Sequence, residues 1–179
     1  MIILMGPAGA GKSVQGRLIA KKYGLYWLSV GNILRSCGNE SVMSIMEKGM
    51  LVNDELVEKY LEEELNKHKN PEKLILDGFP RNLHQVKWLT DYIFKREIKS
   101  LRIVQINIDA KTKNERLIKR GRLDDTVSAI SKRQKEYEEL TIPLIENFKN
   151  NRFSIFEVDG VGTIEEVNNR ITKALGLSS

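Results

Sequence analysis

The sequence predicts an α/β fold in which helices cover both faces of a five-stranded parallel sheet. Short β-rich runs alternate with helical patterns along the chain, and this alternation is typical of β-α-β units. Three of the runs are nearly all apolar, as expected for strands buried on both faces. At 179 residues, 41% hydrophobic and 30% charged, the chain can form a sizeable core. We therefore expect one three-layer α/β/α domain over residues 1–179.

The candidate strands are short segments rich in aliphatic, aromatic and β-branched residues. They span residues 1–5, 25–30, 72–78, 101–108 and 152–159. Helical periodicity fills the intervals between them. The candidate helices cover residues 12–23, 31–37, 40–48, 53–68, 82–96, 111–120, 125–149 and 163–175. Because ligands of parallel sheets bind at the carboxyl ends of the strands, the residues after each strand are the candidates for a site.

Composition excludes several classes of protein. Cys37 is the only cysteine, so we expect neither an intrachain disulfide nor a structural zinc site, and a reducing cytoplasm is the natural compartment. The sequence has no long apolar stretch and no basic region before its first apolar run, so we expect neither a signal peptide nor a membrane span.

The segment GPAGAGKS, residues 6–13, follows the first strand and precedes a helix. It matches the phosphate-loop (P-loop) pattern, in which Gly9 and Gly11 let backbone N–H groups turn toward phosphate oxygens. Lys12 then reaches the β- and γ-phosphates, and the Ser13 hydroxyl is a ligand for Mg²⁺. The alternative, a flexible turn between a strand and a helix, does not require this set of residues.

Asp77 stands where an apolar strand ends. A carboxylate at this position can hold the Mg²⁺ shell through water. By itself it could equally cap the following helix. Beside a phosphate loop, the metal interpretation is favoured.

The chain resembles the adenylate kinase family of nucleoside monophosphate kinases over nearly its whole length. Six stretches carry the resemblance in the family's order: GPAGAGKSVQ, SVGNILR, IMEKGMLV, LDGFPRNLHQ, ERLIKRGR and DDTVSAISKRQKEYEELTIPLI. The resemblance implies a P-loop NTPase fold with a small helical acceptor-binding segment at residues 29–52. It also implies Mg²⁺-dependent transfer of the γ-phosphoryl group of ATP to AMP, giving two ADP.

The resemblance implies roles for individual residues. The residues implied in ATP binding are Gly9, Ala10, Gly11, Lys12, Ser13, Val14, Arg116, Arg120 and Gly162. Those implied in AMP binding are Val30, Arg35, Met50, Leu51, Val52, Gly78, Phe79, Pro80, Arg81, Gln85, Arg122 and Arg133. Those expected to act on the transferring phosphoryl group are Lys12, Arg81, Arg120, Arg122 and Arg133. Ser13 and Asp77 are expected to hold Mg²⁺, mostly through water.

The residue pattern agrees with these roles. Arg116 and Arg120 are four apart, so a helix projects them from one face. On the next predicted helix an apolar stripe is marked by Val127, Ile130, Tyr137 and Leu140. Arg133 falls inside this stripe and therefore needs an anionic partner. A phosphate is favoured over a buried salt bridge, and Asp124 or Asp125 is expected to cap the helix.

The positive charge of the chain does not indicate nucleic-acid binding. The formal net charge is +5, from 29 basic and 24 acidic residues. Seven of the basic residues belong to the expected nucleotide site: Lys12, Arg35, Arg81, Arg116, Arg120, Arg122 and Arg133. Without them, 22 basic residues face 24 acidic ones, so the surplus belongs to the pocket, and we expect small-molecule substrates only.

The acceptor base is the least determined feature. Gln85 lies four residues after Arg81, where adenine-accepting members of the family carry glutamine, whose amide can both donate to and accept from adenine. Val30, Asn32 and Asn82 stand where adenylate kinases usually have threonine, aspartate and threonine. AMP is favoured, and a UMP or CMP kinase is the alternative.

The family's mobile lid is missing. Members of the family insert it between the arginines matched here by Arg120 and Arg122, and only Gly121 lies between them. Residues 120–122 are therefore a vestigial lid position. We expect that another subunit covers the open donor site or that ATP hydrolysis leaks. A low-turnover nucleotide-binding regulator is the alternative outside enzymology.

Overall fold

The structure is a computed structural model that describes residues 1–122, 124–150 and 153–177. The described part contains the predicted five-stranded parallel sheet. Its strands, in chain order, are β1 (Ile2–Met5), β2 (Tyr26–Ser29), β3 (Leu74–Asp77), β4 (Arg102–Asn107) and β5 (Ile155–Asp159). The first residue of the predicted strand 152–159 lies outside the described residues.

The spatial order of the strands is β2-β3-β1-β4-β5, and every pairing is parallel. β1 is central, with Ile3 paired to Leu76 on one side and to Ile103 on the other. All four residues of β1 and of β3 are buried, as the apolar runs predicted. The sheet therefore presents the carboxyl ends of β1 and β3 side by side at one edge.

Nine α-helices lie in the described residues, and they agree with the predicted helices apart from their bounds and one interruption. They are α1 (Lys12–Tyr23), α2 (Val30–Ser36), α3 (Glu40–Glu47), α4 (Asp54–Leu65), α5 (Leu83–Lys95), α6 (Ala110–Arg120), α7 (Val127–Glu136), α8 (Ile142–Asn150) and α9 (Ile164–Ala174). A 3₁₀ turn at Pro71–Lys73 precedes β3. Within the described residues, no helix has both the length and the apolar character needed to cross a membrane.

The two faces of the sheet are covered by separate apolar cores. Ile3 and Met5 pack in one core with residues from α2 to α5 and α8, whereas Ile2 and Leu4 pack in the other with α1 and α9. This division follows from the strand period of two, which sends successive side chains to opposite faces. The chain therefore forms the three-layer α/β/α arrangement that the sequence predicts.

The predicted continuous helix 125–149 is interrupted. A π-helical segment, Tyr137–Thr141, lies between α7 and α8. From the last residue of this segment onward, the buried residues recur at the spacing i, i+3, i+4 and i+7, namely Thr141, Leu144, Ile145 and Phe148. Because a π turn contains an extra residue, it changes the face that later residues present to the core.

The apolar stripe proposed for this helix was wrong at its two ends, whereas Ile130 and Tyr137 within it are partly buried. Val127 is 86% exposed and Leu140 is 41% exposed, whereas Ala129 is buried. The proposed cap was also wrong, since the Thr126 side chain accepts the N–H of Ala129 and neither aspartate caps α7. The carboxylates of Asp124 and Asp125 are therefore available to accept hydrogen bonds from arginine side chains.

Gly49 tests how closely the acceptor-binding segment approaches α7. Its φ is +73°, and a Cβ there would lie 2.6 Å from the Ala129 backbone, whereas Gly38 has a similar φ of +71° and open space around it. We expect Gly49→Ala to lower the free energy of unfolding by about 2–4 kcal/mol through overpacking and backbone strain.

Gly38→Ala is the matched control and should cost only about 1 kcal/mol, for its backbone conformation. Urea unfolding measures both variants. Equal losses would show that the close approach to Ala129 contributes nothing.

Candidate active site

An open cavity lies at the carboxyl edge of the sheet, above β1 and β3. It collects most of the residues singled out from the sequence. Those that line it are Lys12, Ser13, Val30, Arg35, Met50, Leu51, Val52, Asp77, Gly78, Phe79, Pro80, Arg81, Gln85, Arg120, Arg122 and Arg133. Residues from widely separated parts of the chain thus converge on one space.

The remaining predicted residues lie outside this lining, on the side of β4 and β5. They are Gly9, Ala10, Gly11, Val14, Arg116 and Gly162. Nη2 of Arg116 donates to the carbonyl oxygens of Gly160 at 2.9 Å and Gly162 at 3.1 Å. Arg116 therefore joins α6 to the loop after β5, next to Gly11, where a Cβ would lie 3.7 Å from its guanidinium.

The phosphate loop is shaped by glycine. Gly9 has a φ of +86°, and a Cβ there would lie 3.0 Å from the carbonyl oxygen of Lys113. Gly11, with a φ of 94°, occupies the left-handed N-cap position of α1, whose first turn contains no acidic residue. The positive end of the α1 dipole therefore opens toward the loop without a carboxylate that would compete for it.

The side chain of Lys12 is held by hydrogen bonds to the backbone of the phosphate loop. Its Nζ donates to the carbonyl oxygens of Gly6 at 2.6 Å and Pro7 at 2.8 Å. Burial, with smaller contributions from the nearby cationic arginines, lowers the pKa of Lys12 to about 8, and Asp77 partly opposes the shift. A lysine in this state gains most from an added anion.

Ser13 and Asp77 meet across the neighbouring strands β1 and β3. The Ser13 hydroxyl donates to Oδ2 of Asp77 at 2.6 Å, and Asp77 is 3% exposed. Asp77 does not cap the next helix, because the side chain of Asn82 occupies the N-cap of α5. The capping alternative for Asp77 was therefore wrong.

This hydroxyl and carboxylate fit Mg²⁺. The ion prefers oxygen ligands and usually keeps several waters while it binds substrate phosphates, so one or two protein oxygens suffice. The described residues contain no group of three His, Cys, Asp or Glu side chains that could hold a metal. The donor set thus suits a magnesium ion held largely by nucleotide phosphates.

Two aspartates organise the arginines of the cavity. Arg133 donates to Asp124 Oδ2 at 2.7 Å and to Asp125 Oδ1 at 2.9 Å. Arg120 donates through Nε to Asp125 Oδ2 at 2.7 Å, and Arg35 lies 3.4 Å from Asp124 Oδ2. We call these five residues the arginine–aspartate network. In this structure Arg133 therefore has salt-bridge partners, which the sequence analysis placed second to a phosphate.

The network has an electrostatic signature. Burial raises the pKa of the Asp125 carboxyl, but the hydrogen bonds and charges of Arg120 and Arg133 outweigh it and hold that pKa below its ordinary value. Burial, together with the neighbouring Arg122, lowers the pKa of Arg35. The two carboxylates therefore hold several arginines together in a partly buried space.

The part of the cavity around Arg81 and residues 50–52 is ordered by side-chain to backbone contacts. Nε of Arg81 donates to the carbonyl oxygen of Gly78 at 3.0 Å. Glu136, on α7, accepts the N–H of Leu51 at 3.1 Å and so ties the acceptor segment to the helix of Arg133. Burial raises the pKa of Glu136, and the Leu51 hydrogen bond and Arg81 oppose the shift.

Sequence reasoning missed several residues of the site. It predicts only helix caps at Asp124 and Asp125, and no role for Asp54 or Glu136. The sequence could have indicated that Glu136 belongs to the site, because Glu136 lies three residues after Arg133 and therefore on the same face of a helix. Asp54 had none, since its contacts with Asn82 and Gln85 join distant segments.

The geometry defines the class of protein. A phosphate loop between a central parallel strand and a helix, with a carboxylate ending the adjacent strand, is characteristic of P-loop NTPases. The arginines around the same loop add the cationic groups that phosphoryl transfer requires.

Comparison with known proteins narrows the class to a family. The family model described as "Adenylate kinase" matches residues 4–153. The chain belongs to the adenylate kinase family and is a phosphotransferase of the nucleoside monophosphate kinase type.

Curated relatives match nearly the full length. An adenylate kinase from Prochlorococcus marinus is 37% identical over 181 residues, which cover 97% of each chain. The adenylate kinase of Flavobacterium psychrophilum is 34% identical with the same coverage, and that of Hyphomonas neptunium is 36% identical over 99% of each chain.

The lowered pKa of Lys12 predicts proton uptake on nucleotide binding. At pH 8.5 most of the free protein carries a neutral Lys12, and an adjacent phosphate raises the pKa of that amine. We expect ATP binding to take up roughly half a proton or more, and the apparent affinity to fall as the pH rises above 8.

Titration calorimetry at pH 8.5 in two buffers of different ionisation enthalpy measures the uptake. Lys12→Arg is the control, because its guanidinium stays charged at this pH. Heats that do not depend on the buffer, or that depend on it equally in the variant, would contradict the assignment.

Proposed function

We propose that the enzyme transfers the γ-phosphoryl group of ATP to AMP and releases two ADP in a Mg²⁺-dependent reaction. The observation that carries the proposal is the convergence of the phosphate loop, the arginines and Gln85 on one cavity. These groups would bind the phosphates of both nucleotides at one place, while the donor base would extend beyond the cavity toward Arg116 and Gly162. Nucleotide homeostasis in the cytoplasm is the role that this reaction serves.

The donor side is built around the phosphate loop. Residues Gly9 to Val14 would bind the phosphates of ATP through backbone N–H groups, with Lys12 moving from the carbonyl oxygens of Gly6 and Pro7 to the β- and γ-phosphates. Arg116 and the carbonyl oxygen of Gly162 would meet the adenine. Their present hydrogen bond brings both groups to the same end of the donor site.

The acceptor side lies between α2, the loop before α4, and α5. Arg35 and Arg81 would hold the monophosphate, and Val30 together with residues 50–52 would wall the base. Gly78, Phe79 and Pro80 would line the passage between phosphate and base. Gln85 would contact the edge of adenine through its amide.

Transfer requires positioning and charge stabilisation more than a protein nucleophile or base. The acceptor phosphate is already ionised at neutral pH, and the transition state spreads negative charge over the transferring group. The cationic groups that line the cavity and would surround that position are Lys12, Arg81, Arg120, Arg122 and Arg133. Ser13 and Asp77 would hold Mg²⁺, mostly through water, and the ion would supply positive charge that neutralises the donor phosphates.

The arginine–aspartate network explains how the cationic groups can be stored before substrate arrives. Arg120 and Arg133 now donate to carboxylates that a phosphate can replace as acceptor. Because phosphate accepts the same bidentate guanidinium geometry, the exchange needs little rearrangement. Binding of nucleotide would thus draw these arginines from Asp124 and Asp125 onto the transferring group.

Other monophosphates, and a low-turnover regulatory role, are the alternatives. Val30 and Asn32 differ from the residues usual in adenylate kinases, which favours testing UMP and CMP as acceptors. The missing lid favours testing for low turnover. The retained Lys12, Asp77 and arginines support catalysis, because a pure binding protein does not need cations at the transition state.

A coupled phosphotransfer assay with each monophosphate tests the reaction. We expect AMP to be the best acceptor and chelation of Mg²⁺ to abolish transfer. Lys12→Met should lower kcat by about 100- to 1,000-fold, because it removes a preorganised cation. Lys21→Met, at the exposed end of α1, is the control. No transfer to any monophosphate would refute the enzyme assignment.

The vestigial lid at residues 120–122 has a testable consequence. Without a lid, we propose that a second copy of the chain covers the donor site or that ATP hydrolysis without acceptor becomes measurable. Solution mass and the ATPase rate without acceptor decide between them. A strict monomer with negligible hydrolysis and normal transfer would contradict both.

A further inference from the structure

The amide of Gln85 is held in one orientation by two neighbours. The backbone N–H of Arg81 donates to its Oε1 at 2.8 Å, and its Nε2 donates to Oδ1 of Asp54 at 2.7 Å. An N–H can only donate, and an ionised carboxylate can only accept. Turning the amide by 180° would therefore place donor against donor and acceptor against acceptor.

Asp54 is itself fixed. Nδ2 of Asn82 donates to both of its carboxylate oxygens, at 3.0 and 3.1 Å. Nδ1 of His84 lies 3.6 Å from Oδ2. The carboxylate begins α4 and reaches across to the start of α5, where Asn82 also caps the helix. The position of the acceptor oxygen for Gln85 is thus set by two helices.

Gln85 keeps some hydrogen-bonding capacity for a ligand. Each end of a glutamine amide offers two positions, and the contacts with Arg81 and Asp54 use one at each end. One lone pair of Oε1 and one N–H of Nε2 remain. Gln85 is 2% exposed and lines the cavity. Because the site is buried, a ligand whose donors and acceptors do not match this lone pair and this N–H loses the most binding free energy.

The unused lone pair of Oε1 and the unused N–H of Nε2 distinguish two kinds of base. Adenine presents an amino donor at C6 beside the N1 acceptor, which match an amide oxygen and an amide N–H. Hypoxanthine and guanine present an oxygen at C6 beside an N1–H donor and need the amide reversed. Cytosine presents the same donor and acceptor pattern as adenine, and uracil presents the same pattern as hypoxanthine and guanine.

We infer that Asp54 is a positioning residue that acts through Gln85, so that the acceptor pocket selects a base with an amino group and rejects its oxo counterpart. The inference rests on the proposed acceptor site and extends it by naming the residue that sets the choice. The specificity arises because an oxo base could bind only by leaving buried polar groups mismatched, and such mismatches discriminate strongly.

The test compares the binding of AMP and IMP, two purine monophosphates that differ at C6 and N1. Calorimetry on the full chain gives the ratio of their dissociation constants in each variant. We expect the wild type to favour AMP, and Asp54→Ala to reduce that preference by about 10- to 100-fold. Some preference remains, because the N–H of Arg81 still donates to Gln85.

Two variants separate positioning from a general structural effect. Glu55→Ala removes an exposed carboxylate from the same first turn of α4 and should leave the preference unchanged. Asp54→Asn keeps the side-chain shape, but its amide can donate or accept, so it tolerates both orientations of Gln85. It should therefore also lower the preference, and it replaces Asp54→Ala if that variant does not fold.

A double-mutant cycle checks that Asp54 acts through Gln85. In a Gln85→Ala background, adding Asp54→Ala should not change the AMP to IMP ratio further. A wild type that binds both nucleotides equally, an unchanged ratio in the Asp54 variants, or an equal loss in Glu55→Ala would each overturn the inference.

The binding readout separates this inference from the proposed reaction. If AMP is preferred through Asp54 but no phosphoryl transfer occurs, the inference stands and the proposed function fails. If transfer to AMP proceeds but its preference over IMP does not depend on Asp54, the proposed function stands and the inference fails.

Discussion

Repulsion among like charges is the constraint on which the site depends. Lys12 and five arginines line one cavity, and like charges that are partly removed from water repel each other strongly. The low pKa of Lys12 results from burial and from this repulsion. Asp124 and Asp125 offset part of it by binding Arg120 and Arg133. The same arrangement that is costly without a ligand is suited to the phosphates of two nucleotides.

The sheet makes this concentration of charge possible. Parallel strands end at the same edge, so Ser13 after β1 and Asp77 at the end of β3 come within hydrogen-bonding distance although they lie 64 residues apart. The strand period of two anchors β1 in both cores, which makes the platform under the phosphate loop rigid. Lys12, Arg35 and Arg133 stand on helices, whereas Arg81 and Arg122 stand on the short connections that follow β3 and α6. The positions of the functional groups therefore depend on the ends of these strands and helices and on the connections that join them.

Hydrogen-bond polarity has a parallel role at the acceptor end. Gln85 could present either face of its amide to a base, and the N–H of Arg81 and the carboxylate of Asp54 leave only one choice. In the proposed function, charge would govern the binding of phosphates, and the direction of hydrogen bonds would govern the binding of the acceptor base. The backbone that runs from Asp77 to Gln85 joins the two ends of the cavity.

The sequence by itself determined the fold class, the phosphate loop and the family, because each of these depends on local periodicity or on contiguous motifs. It also indicated the residues of the cavity, most of which the structure brings together. Only the tertiary structure decided the partners of those residues. The π segment after Glu136 altered the face that α8 presents to the core. At the start of α7, Thr126 rather than Asp124 or Asp125 is the N-cap. Asp54 acquired its role from contacts with distant Asn82 and Gln85, and Asp124 and Asp125 acquired theirs from the way in which α6, α7 and the distant α2 bring Arg120, Arg133 and Arg35 around them. Their contacts depend on how distant helices pack, and that packing is a property of the whole chain.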